Sequence, residues 1–368
     1  MMKDLFANNE VNTGRQVEFD YSKGLFFLAI LFIHAFQAAG GGAGADEVAY
    51  KISYMILTMT GAPIFLFVMG LGTRYREVSV GDMFRAGGRL VSYQYLNNIA
   101  IVASIVLPYF IMRNFIDMSV HKEQVSFLSE LLALYINIFF LAGGIYLVIA
   151  FLKLVKTPIW LYVVLGLLIN IFSPSLIGLS VGIVPVDYFL GGIFGGTVYS
   201  SFSVLNYLPY TFFGIAFGEL LKRVNPEAKK RFYLICCSVG ALLFSLFLIL
   251  TFMKYSDFDS LYQYISTTYS QPDFMRTIAN TSGVIMLAGV LYFLSGMIAK
   301  CGFINRALLY YSKHISKYYA VHFTLLFLVY GFNGYKPFGF WGCVVLFLFS
   351  IPYCDLVVRT YNRLITAQ

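Results

Sequence analysis

Charge is what this sequence has least of. Only 12% of its 368 residues are Asp, Glu, Lys or Arg, against 59% hydrophobic, and its mean hydropathy is +0.75. A soluble globular domain carries about twice that share of charge, so a soluble dinucleotide-binding enzyme, a secreted toxin and a nucleic-acid binder are all excluded. Cysteine is scarce and unpatterned: Cys236, Cys237, Cys301, Cys343 and Cys354 form no C-x-x-C pair and mostly sit in or beside apolar runs. There a thiol behaves as a small hydrophobe, so neither a disulfide framework nor a zinc site is implied. A positive n-region is missing too, since Asp4, Glu10, Glu18 and Asp20 outnumber the basic residues before the first apolar run. That excludes a signal peptide cleaved in the small-residue run Ala38 to Ala45.

What fills the chain is apolar sequence in stretches of about 18 to 22 residues, long enough to cross ~30 Å of hydrocarbon as helices whose backbone groups are satisfied internally. Ten such spans are expected: Gly24–Ala39, Ile52–Gly72, Leu90–Met112, Leu131–Leu152, Thr157–Leu176, Val204–Leu221, Phe232–Met253, Thr277–Ala299, Ile315–Tyr335 and Pro337–Cys354. Between Leu176 and Ser203 a stretch with Gly191, Gly192, Gly195 and Gly196 has Asp187 as its only charge. It reads as a loop, a re-entrant segment or an eleventh span. The fold class is thus an all-α polytopic membrane protein forming a single domain over 1–368, with 1–22 as a cytoplasmic amino-terminal segment.

Lys and Arg accumulate in cytoplasmic loops. With the amino terminus inside, the outside keeps only Lys51, Arg113, Lys122, Lys254, Arg276 and Lys336; the other twenty of the twenty-six basic residues fall on the cytoplasmic side. Ten spans therefore place both termini in the cytoplasm. The net charge of +8 follows from this orientation and requires no nucleic-acid partner; the lipid bilayer is the partner implied.

An ionisable group inside a membrane costs at least ~2.5 kcal/mol at the centre, so each is a functional candidate. His34 is the sole titratable residue in its span, and Lys23 lies eleven residues before it. Eleven residues are about three helical turns, so the two share a face ~16 Å apart, and Asp20 joins that stripe. His322 lies two turns into the ninth span, in Tyr318-Tyr319-Ala320-Val321-His322. Glu130, Glu219 and Asp355 fall at span ends, where a hydrated interface accounts for them. Asn97, Asn98, Asn137 and Asn280 lie in apolar runs and read as hydrogen-bonding between helices.

Arg15 and Phe19-Asp20-Tyr21-Ser22-Lys23-Gly24, followed by an apolar run ending in His34, resemble the first-helix motif of the transmembrane acyltransferase superfamily. That group includes the membrane acyltransferase-3 family and the relatives of heparan-alpha-glucosaminide N-acetyltransferase. The segment Gly61-Ala62-Pro63-Ile64-Phe65-Leu66-Phe67-Val68-Met69-Gly70 is similar to the second-helix segment of the glucosaminide branch, and Leu208-Pro209-Tyr210 through Gly218 to its later helix. Tyr311-Ser312-Lys313-His314-Ile315-Ser316 through His322 resembles the carboxy-terminal helix of the superfamily. Where the acyltransferase-3 pattern has an arginine, this chain has Lys23, and Arg85 and Arg89 stand one residue wider than its R-x-x-R.

The resemblance implies transfer of an acyl group, usually acetyl from acetyl-CoA, to a carbohydrate of a cell-surface or exported glycan, with no metal, in a bacterial cytoplasmic membrane. It makes His34 the catalytic residue, with His322, Lys23 and Asp20 beside it, and an imidazole with a pKa near ~6.5 suits general-base or nucleophilic work. Four arginines in one short cytoplasmic loop, Arg74, Arg76, Arg85 and Arg89, are the expected ligands of the acyl-CoA phosphates. A transporter or flippase, with His34 and Lys23 lining a substrate or proton path, is the alternative.

Overall fold

The computed structural model describes residues 5–39, 48–115, 117–197, 199–200, 202–255, 257–267 and 271–366. Asp46 and most of the run Ala38 to Ala45 lie outside them. Among the described residues all regular structure is helical, with fourteen α-helices and two isolated bridges, Phe6 with Val224 and Ile136 with Ser200. The helices are α1 (Val17–Ala39), α2 (Val48–Tyr75), α3 (Val80–Met112), α4 (Lys122–Ala133), α5 (Ile138–Leu154), α6 (Ile159–Phe172), α7 (Val184–Phe194), α8 (Val204–Arg223), α9 (Lys229–Lys254), α10 (Phe258–Thr267), α11 (Phe274–Lys300), α12 (Gly302–Lys313), α13 (Ile315–Phe332) and α14 (Phe340–Thr366). Among the described residues seven are long and apolar enough to cross a membrane: α1, α3, α6 with the turn after it, α9, α11, α13 and α14. The chain is an all-α polytopic membrane protein.

One expected span differs, and one segment left open is narrowed. Leu131 to Leu152 is not one helix, because Asn137 has extended backbone and its side chain accepts the Phe139 N–H at 2.8 Å, starting α5 afresh. An asparagine at this N-cap position satisfies a donor the first turn leaves open. Gln94 and Asn98 of α3 close the other side of the break, both donating to the Tyr135 carbonyl. Within 176–203, α7 is 11 residues, about 16 Å, too short to span. Asp187 there works for the backbone: it accepts the N–H groups of Val181 at 2.7 Å and Gly182 at 3.1 Å and the Ser180 hydroxyl at 2.8 Å.

The chain divides into two compact units of interleaved segments: 1–23, 58–92 and 136–306 form the first, and 24–57, 93–135 and 307–368 the second. In the first, α2 and α8 cross at van der Waals backbone contact. A Cβ on Gly70 would overlap the Thr211 carbonyl, and one on Gly214 the Phe67 carbonyl. Without water in hydrocarbon to drive association, close backbone approach at small residues is what holds such helices. Phe19, Phe67 and Phe217 cluster beside the crossing with ring centroids 5.5 to 6.4 Å apart. The amino-terminal segment is docked on this unit, its Ala7, Val11 and Asn12 N–H groups donating to the carbonyls of Arg223 and Lys222. Glu18 follows, 1% exposed, paired with Lys229 at 3.2 Å and accepting the Tyr233 hydroxyl.

In the second unit α1, α13 and α14 share a core of Phe27, Leu31, Tyr318, Cys354 and Val358, joined by Tyr311 of α12. Gly24 lets α1 lie directly on α12, since a Cβ there would overlap the Leu308 carbonyl. Leu326, Ala35 and Leu346 continue the same three-helix contact further along.

Candidate functional site

Within α13, Tyr318 and His322 are four residues apart and so face the same way. Both are fully buried in the second unit. The Tyr318 hydroxyl donates to Asp355 on α14 at 2.6 Å, and the same carboxylate accepts from Arg359 at 2.6 Å. This clamp sets the rotation of α13 against α14. At the next turn His322 Nδ1 lies 3.2 Å from the Tyr318 carbonyl oxygen. A carbonyl only accepts, so Nδ1 of His322 carries the proton, and in the neutral ring Nε2 is left as a lone pair.

That lone pair is 2.7 Å from Nδ1 of His34 on α1. Nδ1 of His34 is therefore the donor, and its Nε2 is the one nitrogen of the pair left with an unshared lone pair and no partner among the described residues. The two rings lie 9° from parallel at 5.0 Å between centroids. Phe323 stacks on His34 at 4.4 Å, and the Tyr319 ring stands edge-on to His322 at 5.1 Å. Hydrogen bonds fix the tautomers and aromatic faces fix the ring planes. A base within such a relay, one nitrogen anchored and the other open, has the arrangement that general acid–base chemistry needs. Among the described residues no three His, Cys, Asp or Glu side chains converge as metal ligands would.

No protein-family model, curated protein or solved structure matches this chain. The likeness to acyltransferases is one of short motifs, and the structure shows where those motifs lie. The first-helix and ninth-span motifs meet at His34 and His322 in the second unit. The segments 61–70 and 208–218 meet at the α2–α8 crossing in the first.

The other expected site residues lie elsewhere. Asp20 accepts from Arg15 at 2.7 Å and pairs with Lys23 at 3.2 Å, a compact ionic group at the start of α1. Lys23 and His34 are on one unbroken helix, as expected, but three turns separate them and the ionic group does not reach the imidazoles. The four arginines differ in their settings. Arg74 is bonded to Glu219, Arg85 pairs with Asp82 at 3.5 Å and is largely exposed, and Arg76 and Arg89 are exposed. Glu219 holds Arg223 as well, so its place at a helix end is ionic rather than merely hydrated.

Sequence reasoning assigned Asp355 to a hydrated interface and gave Tyr318 and Arg359 no site role, whereas Asp355 accepts from both and fixes the helix that carries His322. The signal was present as Tyr318 four residues before His322 and Asp355 four residues before Arg359, the spacing at which helical side chains meet. Asn280 does hydrogen-bond between helices, donating to the Tyr210 hydroxyl at 2.9 Å, and Thr277 reaches Asn170 at 3.1 Å.

Proposed function

We propose that this protein is an integral membrane acyltransferase that moves an acyl group, most simply acetyl from acetyl-CoA, onto a hydroxyl or amine of a carbohydrate acceptor, with His34 as the base. The observation that carries this reading is the His34–His322 pair, whose bonding leaves a single imidazole lone pair open at Nε2 of His34. As the acceptor oxygen or nitrogen attacks the thioester carbonyl, that lone pair takes its proton. The C–S bond then breaks, and the imidazolium returns the proton to the departing thiolate. During the protonated interval His34 keeps its Nδ1–H bond to His322, so the charge is shared with a neutral, oriented partner. A carboxylate in the same place would itself need burial, at greater cost. A route in which the same lone pair first carries the acyl group begins from the same geometry.

In this reading the seven long apolar helices are joined by α2, α5 and α8 to make ten spans, both termini are cytoplasmic, and the membrane is a bacterial cytoplasmic one. Arg74, Arg76, Arg85 and Arg89 then face the compartment that supplies the donor. The test is direct: purified protein in vesicles receives [14C]acetyl-CoA and a glycan acceptor, and acylated product is identified by mass spectrometry. Labelled glycan with the wild-type chain and none with His34→Ala is the expected outcome. A protein that moves an unmodified substrate across the vesicle and never labels the glycan is a transporter, and the reading fails.

A further inference from the structure

A cleft of about 160 Å³ opens on the first unit, lined by Arg74, Lys153 and Lys156, by the hydroxyl-bearing Thr73 and Thr157, and by Tyr162. That is below the ~300–1,000 Å³ of drug-sized pockets and suits a small group such as a single phosphate. The charges around it do not cancel. Arg74 is bonded to Glu219, which also holds Arg223. Glu10, 4.0 Å from Arg74, is taken up by Lys222 at 2.8 Å. Lys153 meets only a neutral group, the Val78 carbonyl at 2.6 Å, and neither it nor Lys156 has a carboxylate partner among the described residues. Two cations thus remain uncompensated at one cleft.

The backbone adds a second observation. Lys156 has φ +56°, the left-handed conformation that normally falls to glycine just after a helix ends. It follows the last turn of α5, where its N–H donates to the Lys153 carbonyl and the Thr157 N–H to the Leu152 carbonyl. Glycine would hold this turn with less strain. Backbone strain of this kind gathers at ligand-binding segments, and here it falls beside a polar cleft.

From these groups we infer that the cleft is a binding site for the phosphate of an amphiphilic ligand, with Lys153 and Lys156 as the principal cations and Arg74 behind them. Phosphate suits two separated ammonium groups and flanking hydroxyls, which together can satisfy three oxygens, while the Tyr162 wall accommodates a less polar portion. The same chemistry is offered by the phosphates of an acyl-CoA and by the headgroup of an anionic phospholipid. The acyl-CoA source rests on the acyl-transfer reading; the lipid source does not.

The experiment uses the purified full-length protein in detergent. CoA binding is measured by calorimetry at fixed ionic strength, and retained phosphatidylglycerol by native mass spectrometry. Lys153→Gln/Lys156→Gln should weaken CoA at least tenfold, while Lys230→Gln, an exposed cation of the same unit, changes it less than twofold. If the double variant does not fold, Lys156→Glu alone, altering one exposed side chain, gives the same comparison. Loss of bound phosphatidylglycerol in the lysine variant, with no CoA bound by wild type, supports the site and assigns it to lipid. Equal CoA binding and equal lipid retention in wild type and variant overturns it, as does binding of neither. Lysine-dependent CoA binding without glycan acylation keeps the cleft and sinks the transferase; acylation with lysine-independent CoA binding does the reverse.

Discussion

The proton arrangement at His34 and His322 has consequences that differ residue by residue. His34→Ala removes the open lone pair and should lower acylation roughly 10²-fold to 10⁴-fold in a protein that still elutes as a folded species. His322→Ala should cost about as much, because groups acting as a unit do not contribute additively. His322→Gln separates positioning from chemistry, since a carboxamide oxygen can accept the Nδ1–H of His34. It should retain measurably more turnover than His322→Ala at similar KM. Activity rates of the three variants at matched stability decide the point, and an alanine at position 34 with near wild-type turnover would discard the mechanism. Tyr318→Phe is a different case. The carbonyl that anchors His322 remains, but the hydroxyl bonded to Asp355 is lost. Stability should fall by about 1–3 kcal/mol, read from thermal unfolding in detergent, with turnover altered only a few-fold.

At the scale of elements, the α2–α8 crossing depends on absent side chains. Gly214→Leu would drive four carbons into the Phe67 backbone, and overpacking of this kind typically costs 1–3 kcal/mol or more. Thermal unfolding should drop for Gly214→Leu and hold for Gly296→Ala, where a Cβ meets open space. The loop before α7 yields a pH prediction. The Val181 N–H first, then the Ser180 hydroxyl and the Gly182 N–H, hold the Asp187 carboxyl below the ordinary carboxylate range. Its folded value is thus depressed, so its contribution is full above the unfolded value of about 4 and is lost as pH falls through the folded one. Hydrogen exchange at the Val181 and Gly182 amides, corrected for intrinsic rate, should lose protection below about pH 4; Asp187→Ala should lose it at pH 7. Protection that survives in the alanine variant would show that the carboxylate does not hold the loop.

Much of this level was legible in the sequence. Hydropathy gave the long helices because nothing else about an uncharged twenty-residue run competes with spanning. It ran the end of α4 into α5 because the break at Asn137 is made by an N-cap hydrogen bond within unbroken apolar composition. His34 stood out because it is alone in its span. Its partner's tautomer did not, since it is set by the Tyr318 carbonyl, a backbone atom every residue possesses.

For the whole molecule, the two units are woven from alternating segments of one chain, so no linker or compositional shift marks their boundary. Composition reads as one domain, within which the chain's contacts gather into two units. Orientation, by contrast, is a property of the entire chain, resting on twenty of twenty-six basic residues rather than on any contact. In the proposed acyl-transfer reading it also governs the chemistry, because a cytoplasmic donor would approach from the side of the basic loops. A chain whose five cysteines (Cys236, Cys237, Cys301, Cys343 and Cys354) are replaced by alanine can carry one new thiol at a time. Asp259→Cys in α10 should react with a membrane-impermeant maleimide added to intact cells. Glu227→Cys, in the turn Pro226–Ala228 before α9, should react only after the membrane is opened. Labelling of position 227 in intact cells would invert the molecule, put the cleft of Arg74, Lys153 and Lys156 on the side without CoA, and leave anionic lipid as its remaining ligand.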